Sequence, residues 1–381
     1  MRFKDDAVSL NWIDSDAKLA DCIGQWGEVI AIDTEFVRTN TYYPMPGLYQ
    51  VATEGAVYLL DPLAISEWQP LIDVFTRRET VKIMHACQED MELIHHHLGV
   101  QLSNVFDTQQ AHAFLSDQFS LSYAGLVQQR LGVDLPKHET RSDWRQRPLN
   151  ERQIEYAVED VTFLEPLYDN LTAELHTAGK SAWFDAEMLG RSSYEAPDPQ
   201  QYYRNIKKAW QLSGAELARL QRLCAWRENK ARIENVPRNR VVWDDHLYRF
   251  AKMSNLSRVQ LQKMLPRGVV KRYADELIEI VAQVDGAAPE ALPRPLTSLQ
   301  GTWVKKLKAL GLEVANAQQV APELVCRKRD LEACVRHFVL SGEISPLYKG
   351  WRFDVVGADF HSLLVDLSGT SETSNTSGGL I

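Results

Sequence analysis

Val29-Ile30-Ala31-Ile32-Asp33-Thr34-Glu35 decides how this chain is read. Four apolar residues in a row suit a strand buried on both faces, and the run ends on two acids separated by one residue. Side chains at positions i and i+2 of a strand share a face, so Asp33 and Glu35 reach the same point in space. Two carboxylates held together repel unless a cation lies between them, and oxygen-only donors suit Mg²⁺ or Mn²⁺.

Strand and helix signals alternate outward from this run. Leu48–Ala52 and Ala56–Leu60 flank Thr53-Glu54-Gly55, a hairpin pattern with glycine in the turn. Residues 81–84 read as another strand, followed by a helix from about Gln88 to Leu98. Asn150-Glu151-Arg152-Gln153 has the form of a capping box. Behind it Ile154, Ala157, Val161, Leu164, Leu167 and Leu171 recur at helical spacing, which predicts one helix through 171. The expected architecture is a mixed sheet covered by helices.

Composition bounds the remainder. The chain has 381 residues, 45% hydrophobic and 24% charged, enough for two or three globular domains. No apolar run reaches the ~18–20 residues that cross a bilayer, and residues 1–6 turn acidic at once, unlike a signal peptide. Five scattered cysteines without a Cys-x-x-Cys pair argue against disulfides and a cysteine zinc site, so a cytoplasmic setting is expected. The net charge of −9 is unevenly spread: residues 1–200 carry 15 Lys and Arg against 32 Asp and Glu, and residues 201–381 carry 27 against 19. Metal chemistry in the acidic half and polyanion capture in the basic half would account for the split, as would unequal solvated surfaces.

Two prolines break the pattern at residues 194–199, and from about 205 only helix signals appear. Leu220, Leu223, Trp226, Pro237 and Leu247 are echoed by Leu296, Leu299, Trp303, Pro322 and Leu331, a repeat near 80 residues that suggests two small helical domains in tandem. The expected bounds are 1–200, 205–288 and 295–367, with a disordered tail at 368–381 in which ten of fourteen residues are Ser, Thr or Gly.

Further acids complete the pattern. Asp90 lies near the start of its helix, and Tyr156 and Asp160 share one face of the capped helix, one turn apart. The order Asp33, Glu35, Asp90, Tyr156, Asp160, in strand, helix and helix, resembles the DEDD exonuclease superfamily in its tyrosine-containing branch. Asp33-Thr34-Glu35-Phe36-Val37-Arg38, Thr41-Tyr42-Tyr43-Pro44, His85-Ala86-Cys87-Gln88-Glu89-Asp90, Phe106-Asp107-Thr108-Gln109, Ser142-Asp143-Trp144 and Arg147-Pro148-Leu149 extend the likeness to the ribonuclease D family over about 130 residues. Trp226-Arg227-Glu228, Ala231, Asn235-Val236-Pro237 and Leu247 are similar to the helical HRDC domain, and the segment after Leu296 to a diverged second copy. Pro46 and Tyr49 stand where the family has mainly aliphatic residues.

The resemblance implies an α/β ribonuclease H-like catalytic domain followed by two all-α HRDC-like domains. It implies a 3′→5′ exoribonuclease that uses two divalent ions, Mg²⁺ or Mn²⁺, and releases nucleoside 5′-monophosphates from tRNA precursors and other small structured RNAs. Asp33 would bridge the ions, Glu35 and Asp160 would hold one, Asp90 would serve the other, and Tyr156 would orient the attacking water. Arg38, Tyr42, Lys137 and Arg141, with Lys207, Lys208, Arg227, Lys230, Arg238 and Arg240 of the first helical domain, are candidates for RNA contact. A monomer is expected, without membrane partners. Single-stranded DNA as substrate and a non-catalytic RNA-binding adaptor are the alternatives. The full carboxylate set argues against the adaptor, because unneutralised acids repel phosphate.

Overall fold

Ile30, Ala31 and Ile32 are buried at the middle of the strand that the opening run predicts. In the computed structural model, which describes residues 9–136, 142–191, 193–283 and 289–376, that strand is one of six. The first part of the chain runs β1 (Ser9–Ile13), α1 (Asp16–Ile23), β2 (Val29–Val37), β3 (Met45–Thr53), β4 (Ala56–Leu60), α2 (Gln69–Thr76), β5 (Val81–Met84), α3 (Gln88–Leu98) and β6 (Val105–Asp107). The helices α4 (Thr108–Ala113), α5 (Tyr123–Leu131), α6 (Glu151–Thr162), α7 (Leu164–Thr177) and α8 (Ser181–Leu189) follow. Strand order is β1-β4-β3-β2-β5-β6. β3 and β4 form the expected antiparallel hairpin, with Thr53 opposite Ala56 and positive φ at Glu54 and Gly55. The pairs β1/β4, β2/β5 and β5/β6 are parallel, so the sheet is mixed.

The helix expected through residue 171 is two helices. The capping box is present, with Asn150 Oδ1 accepting from Gln153 N and Gln153 Oε1 from Asn150 N. The ladder is then interrupted at Phe163. Tyr123 Oη accepts from Phe163 N at 3.2 Å and donates to Glu159 O at 2.9 Å, taking the place of the bond those two groups would make with each other. Pro166, in the first turn of α7, has no N–H to offer Thr162 O, so the helix tolerates a break there.

Two compact units are present. One comprises residues up to Phe36, Pro46–Tyr194 and Leu296 onward; the other comprises Val37–Met45 and Glu195–Pro295. The second holds α9 (Gly214–Ile233), α10 (Arg238–Val241), α11 (Asp244–Ala251), α12 (Arg258–Met264) and α13 (Arg267–Ala282). Its core gathers Leu217, Leu220, Leu223, Leu247, Phe250, Tyr273 and Leu277, together with Tyr42.

The last helices are α14 (Ser298–Gln318), α15 (Pro322–Val325), α16 (Lys328–Ser341) and α17 (Ala358–Thr376), all within the first unit. Trp351 stacks on Trp183 and packs on Phe114 at 5.7 and 5.2 Å, and Arg352 pairs with Glu187 at 2.7 Å. Ala321 N donates to Ala113 O, and the buried Lys180 ammonium donates to the carbonyls of Phe114, Gln318 and Gln319. The segment expected to be disordered from 368 continues α17 to Thr376. Phe360 and Leu364 anchor that helix, and adding residues to a formed helix costs far less than nucleating one. Residues 377–381 lie outside the described residues. Among the described residues no helix is long and apolar enough to cross a membrane.

Candidate active site

β2 and α6 deliver the first three acids. Carboxylate oxygens of Asp33, Glu35 and Asp160 all lie within 4.8 Å of one another. Asp90, 8% exposed, sits in the first turn of α3 and accepts a hydrogen bond from the Thr34 hydroxyl. Thr34 is thus the residue between two acids and a donor to a third. Tyr156, one turn before Asp160, is hydrogen-bonded to it. The structure therefore brings all five predicted residues to one end of β2.

Electrostatics makes this cluster costly as a bare set of anions. Burial lifts Asp33 well above the usual carboxylate range, with the charges of Asp90, Asp160 and Glu35 adding to it. Burial, then Asp160 and Asp90, pushes Glu35 up to about 9. Asp90 is raised to about 6 by burial, against the downward pull of the Thr34 hydrogen bond. The Tyr156 phenol is also held above its ordinary value, by burial and then by Asp160, Glu35 and Asp33, so it stays neutral. Hard oxygen donors converging on one point fit a divalent cation, which offsets the repulsion between these groups.

The surrounding loops explain the placement. Asp107, buried at the end of β6, accepts from Ala86 N (3.1 Å), Gln109 N (2.8 Å) and Gln110 N (3.2 Å) through Oδ1, and from Cys87 N (3.2 Å) through Oδ2. It thereby caps α4 and ties down the turn that leads into α3, where Ala86 has φ +55°. His85 is fixed on both ring nitrogens, by Thr108 Oγ1 and Leu121 O. A Cβ on Gly47 would come within 2.5 Å of Trp144 Cβ and 3.0 Å of Glu35 O, so only glycine lets the Trp144 loop cross β2 this closely. Trp144 packs beside Tyr156 with ring centres 5.9 Å apart, and Arg147 anchors the loop on Asp61 and Gly47 O. Asp107, Tyr123 and Gly47 carry no acid–base pattern of their own. Only the Phe106-Asp107-Thr108-Gln109 motif marked any of them in the sequence.

The residues expected to touch RNA divide. Lys207, Lys208, Arg38 and Arg240 are exposed; Arg38 also donates to Tyr42 O. Lys230 is paired with Glu276 at 2.9 Å. Tyr42, Arg227 and Arg238 are corrected to structural roles. Arg227 is fully buried against Glu228, Asp244 and the Tyr202 ring, and Arg238 is committed to Glu228 at 2.8 Å. Tyr42 is 8% exposed, its hydroxyl held by Glu228 and Arg238. Desolvating a guanidinium demands paired acids, and those pairs occupy the donors that a phosphate would need. Lys137 and Arg141 lie outside the described residues. Tyr49 is core: its hydroxyl meets His97 Nδ1 at 2.8 Å and its ring packs on Trp68, so the departure from an aliphatic residue is absorbed by packing. Of the consecutive residues His95-His96-His97, His95 meets Gln101 and His97 meets Tyr49, so the two point to different neighbours.

Comparison with known proteins gives this geometry a family. Residues 10–176 match the 3′-5′ exonuclease family and residues 216–281 the HRDC domain. Ribonuclease D of Pseudomonas paraeruginosa is 39% identical over 365 residues, spanning 92% of this chain and 96% of that protein. The chain belongs to the ribonuclease D family. It is accordingly an exoribonuclease, a hydrolase of phosphodiester bonds, in a family whose exonuclease domain implies divalent metal ions. The crystal structure of Escherichia coli RNase D, described as an exoribonuclease involved in structured RNA processing, superposes with TM-score 0.83 at 32% identity, covering 94% of this chain and 99% of that one. The catalytic core of RRP6 from Trypanosoma brucei superposes with TM-score 0.57 at 25% identity, covering 72% and 79%.

Proposed function

We propose that this ribonuclease D family member shortens RNA from its 3′ end by a two-metal-ion mechanism, releasing nucleoside 5′-monophosphates, and acts on tRNA precursors and other small structured RNAs. The observation that carries the reading is the convergence of Asp33, Glu35 and Asp160, with Asp90 and Tyr156 at its edge. In this reading Asp33 would help hold both ions, Glu35 and Asp160 would help hold one, and Asp90 would serve the other. Two such ions, Mg²⁺ or Mn²⁺, would supply Lewis acidity to the attacking and leaving oxygens. Tyr156, kept as a neutral phenol, would orient the attacking water while its own proton stays on Oη. Thr34 would hold Asp90 in register with Asp33. The E. coli relative's role in structured RNA processing supports the substrate class. The exposed Lys207, Lys208, Arg38 and Arg240 would meet the RNA backbone, and the segment 295–367 would be a diverged second HRDC domain, following in sequence the first at 205–288. A monomer in the reducing cytoplasm suits five cysteines that are all unpaired and buried.

The test follows a tRNA with a 3′ extension, labelled at its 5′ end, in Mg²⁺, in Mn²⁺ and in excess chelator, with Asp160→Asn as control. A ladder that shortens from the 3′ end, needs metal and disappears in the variant is the expected result. RNA that is bound and never shortened would replace this reading with an adaptor. Shortening of single-stranded DNA alone would change the substrate.

A further inference from the structure

Arg240 is an arginine of the helical unit with donors to spare. Two residues away Arg238 is paired with Glu228, and the buried Arg227 with Glu228 and Asp244. Arg240 is exposed, and its hydrogen-bond partner among the described residues is a neutral acceptor, Asn40 Oδ1 at 3.0 Å. It lines a cavity of about 290 Å³ with Asn40, Val236 and Arg272, roughly ten times the ~30 Å³ share of one water molecule. Arg272 is 58% exposed, and the acid near it, Glu234, lies 3.9 Å away and also takes the Tyr273 hydroxyl. Two guanidinium groups against one partly engaged carboxylate leave the cavity with a net positive charge. Planar forks of N–H donors are suited to phosphate oxygens.

A second observation, independent of charge, lies three residues further on. Trp243 is 59% exposed at the start of α11, where its backbone carbonyl accepts from His246 and Leu247 while the ring stays largely in water. Leaving so large an apolar surface wet forgoes the burial energy that holds tryptophans such as Trp144 in place. A flat aromatic surface three residues along the chain from a cationic cavity offers the combination that holds a single strand: the base stacks and the backbone is neutralised. Asn40 supplies the third clue, standing five residues after Glu35, a tether of at most about 17 Å of extended chain.

We propose that Arg240, Arg272 and Asn40 form a phosphate subsite, with Trp243 as its stacking platform, that grips the RNA strand upstream of the nucleotide being removed. The site rests on RNA as the substrate of the proposed function. It binds sequence-independently, because a stacked base and a phosphate carry no base-specific hydrogen bond.

The test uses the full chain carrying Asp160→Asn, in chelator, and a fluorescent 20-nucleotide single-stranded RNA. Adding Arg240→Ala and Arg272→Ala together should weaken binding about tenfold and flatten the slope of log K against log salt by about 0.7, one phosphate on a single strand. Adding Trp243→Ala should weaken binding about tenfold at an unchanged slope, and Trp243→Phe should restore most of the loss. In the active enzyme, the preference for the 20-mer over a trinucleotide, as a ratio of kcat/KM, should fall about tenfold for the same variants. Melting temperatures check that each variant folds. Equal affinities and slopes across the variants would overturn the subsite while leaving the nuclease reading intact. Failure of the unaltered chain to shorten any RNA would overturn the nuclease reading, and the binding titration would still decide the subsite.

Discussion

Replacing Asp107 should damage catalysis without touching a single predicted metal ligand. Its carboxylate accepts four backbone N–H groups, two at the head of α4 and two from Ala86 and Cys87 in the turn before α3. Asp107→Ala loses an N-cap, about 1 kcal/mol. It also strands two largely enclosed amides, at about 1–3 kcal/mol each. The expected loss is about 3–7 kcal/mol. The turn it releases includes Ala86 at φ +55°, a conformation an alanine leaves when nothing holds it, and Asp90 lies four residues beyond. A displacement of Asp90 by about 1 Å would cost about 100-fold in rate. Asp107→Asn keeps Oδ1 but sets an amide against Cys87 N–H, and should fall between the two. Urea unfolding gives the stability, and single-turnover shortening of labelled RNA, well below each variant's melting temperature, gives the rate. The shift in melting temperature on adding Mn²⁺ reports the metal site separately. A variant that loses stability yet keeps its rate and its Mn²⁺ response would refute the claim that this turn positions Asp90.

Three further outcomes are expected. Asp33, Glu35 and Asp90 have folded-state values above their unfolded ones, Glu35 near 9 and Asp90 near 6, so the metal-free protein takes up protons on folding. In chelator its melting temperature should therefore rise as pH falls from 9 to 7, above the range where the buried His97 and His112, held near 4, would favour the unfolded chain, and saturating Mn²⁺ should raise it most at the alkaline end; a flat profile in chelator would contradict the electrostatic account. Lys180→Met leaves three carbonyls without their donor and should cost about 3 kcal/mol. Faster proteolysis between residues 289 and 297 would report loosening of the C-terminal helices, and an unchanged melting temperature would count against the contact. Glu228→Ala uncovers the fully buried Arg227 and should cost about 3–5 kcal/mol by calorimetry, whereas a loss under 1 kcal/mol would show that water reaches that network.

What the sequence disclosed was local. A strand ending in two acids, a hairpin around Glu54-Gly55 and a capping box at Asn150 each fit within a few residues, and the structure has all three. The break at Phe163 was not legible in the same way, because the group that splits the ladder is Tyr123, 40 residues earlier. Pro166 hinted at it, yet a proline in a first turn is equally compatible with an unbroken pattern. Arg227 shows the opposite failure: composition counts it as surface charge, and only the arrangement of Glu228, Asp244 and Tyr202 reveals a buried cation. Trp243 was silent for the same reason, and Asp107 was marked by its motif without its role being legible, since an acid or an aromatic residue acquires a role only from what surrounds it.

The order in which the chain is made sets a condition on the enzyme. The unit that carries the carboxylates is closed by residues from Leu296 onward, with Lys180 reaching the carbonyls at 318 and 319. At about 5–20 residues per second, roughly 10–40 s pass on the ribosome between residues 194 and 376. During that interval Trp183 and Phe114 lack the Trp351 ring, and the Lys180 ammonium lacks two of its three carbonyl acceptors. Until residues 296–364 have been made, the core that carries the carboxylates is therefore open, and the nuclease is unfinished for that interval.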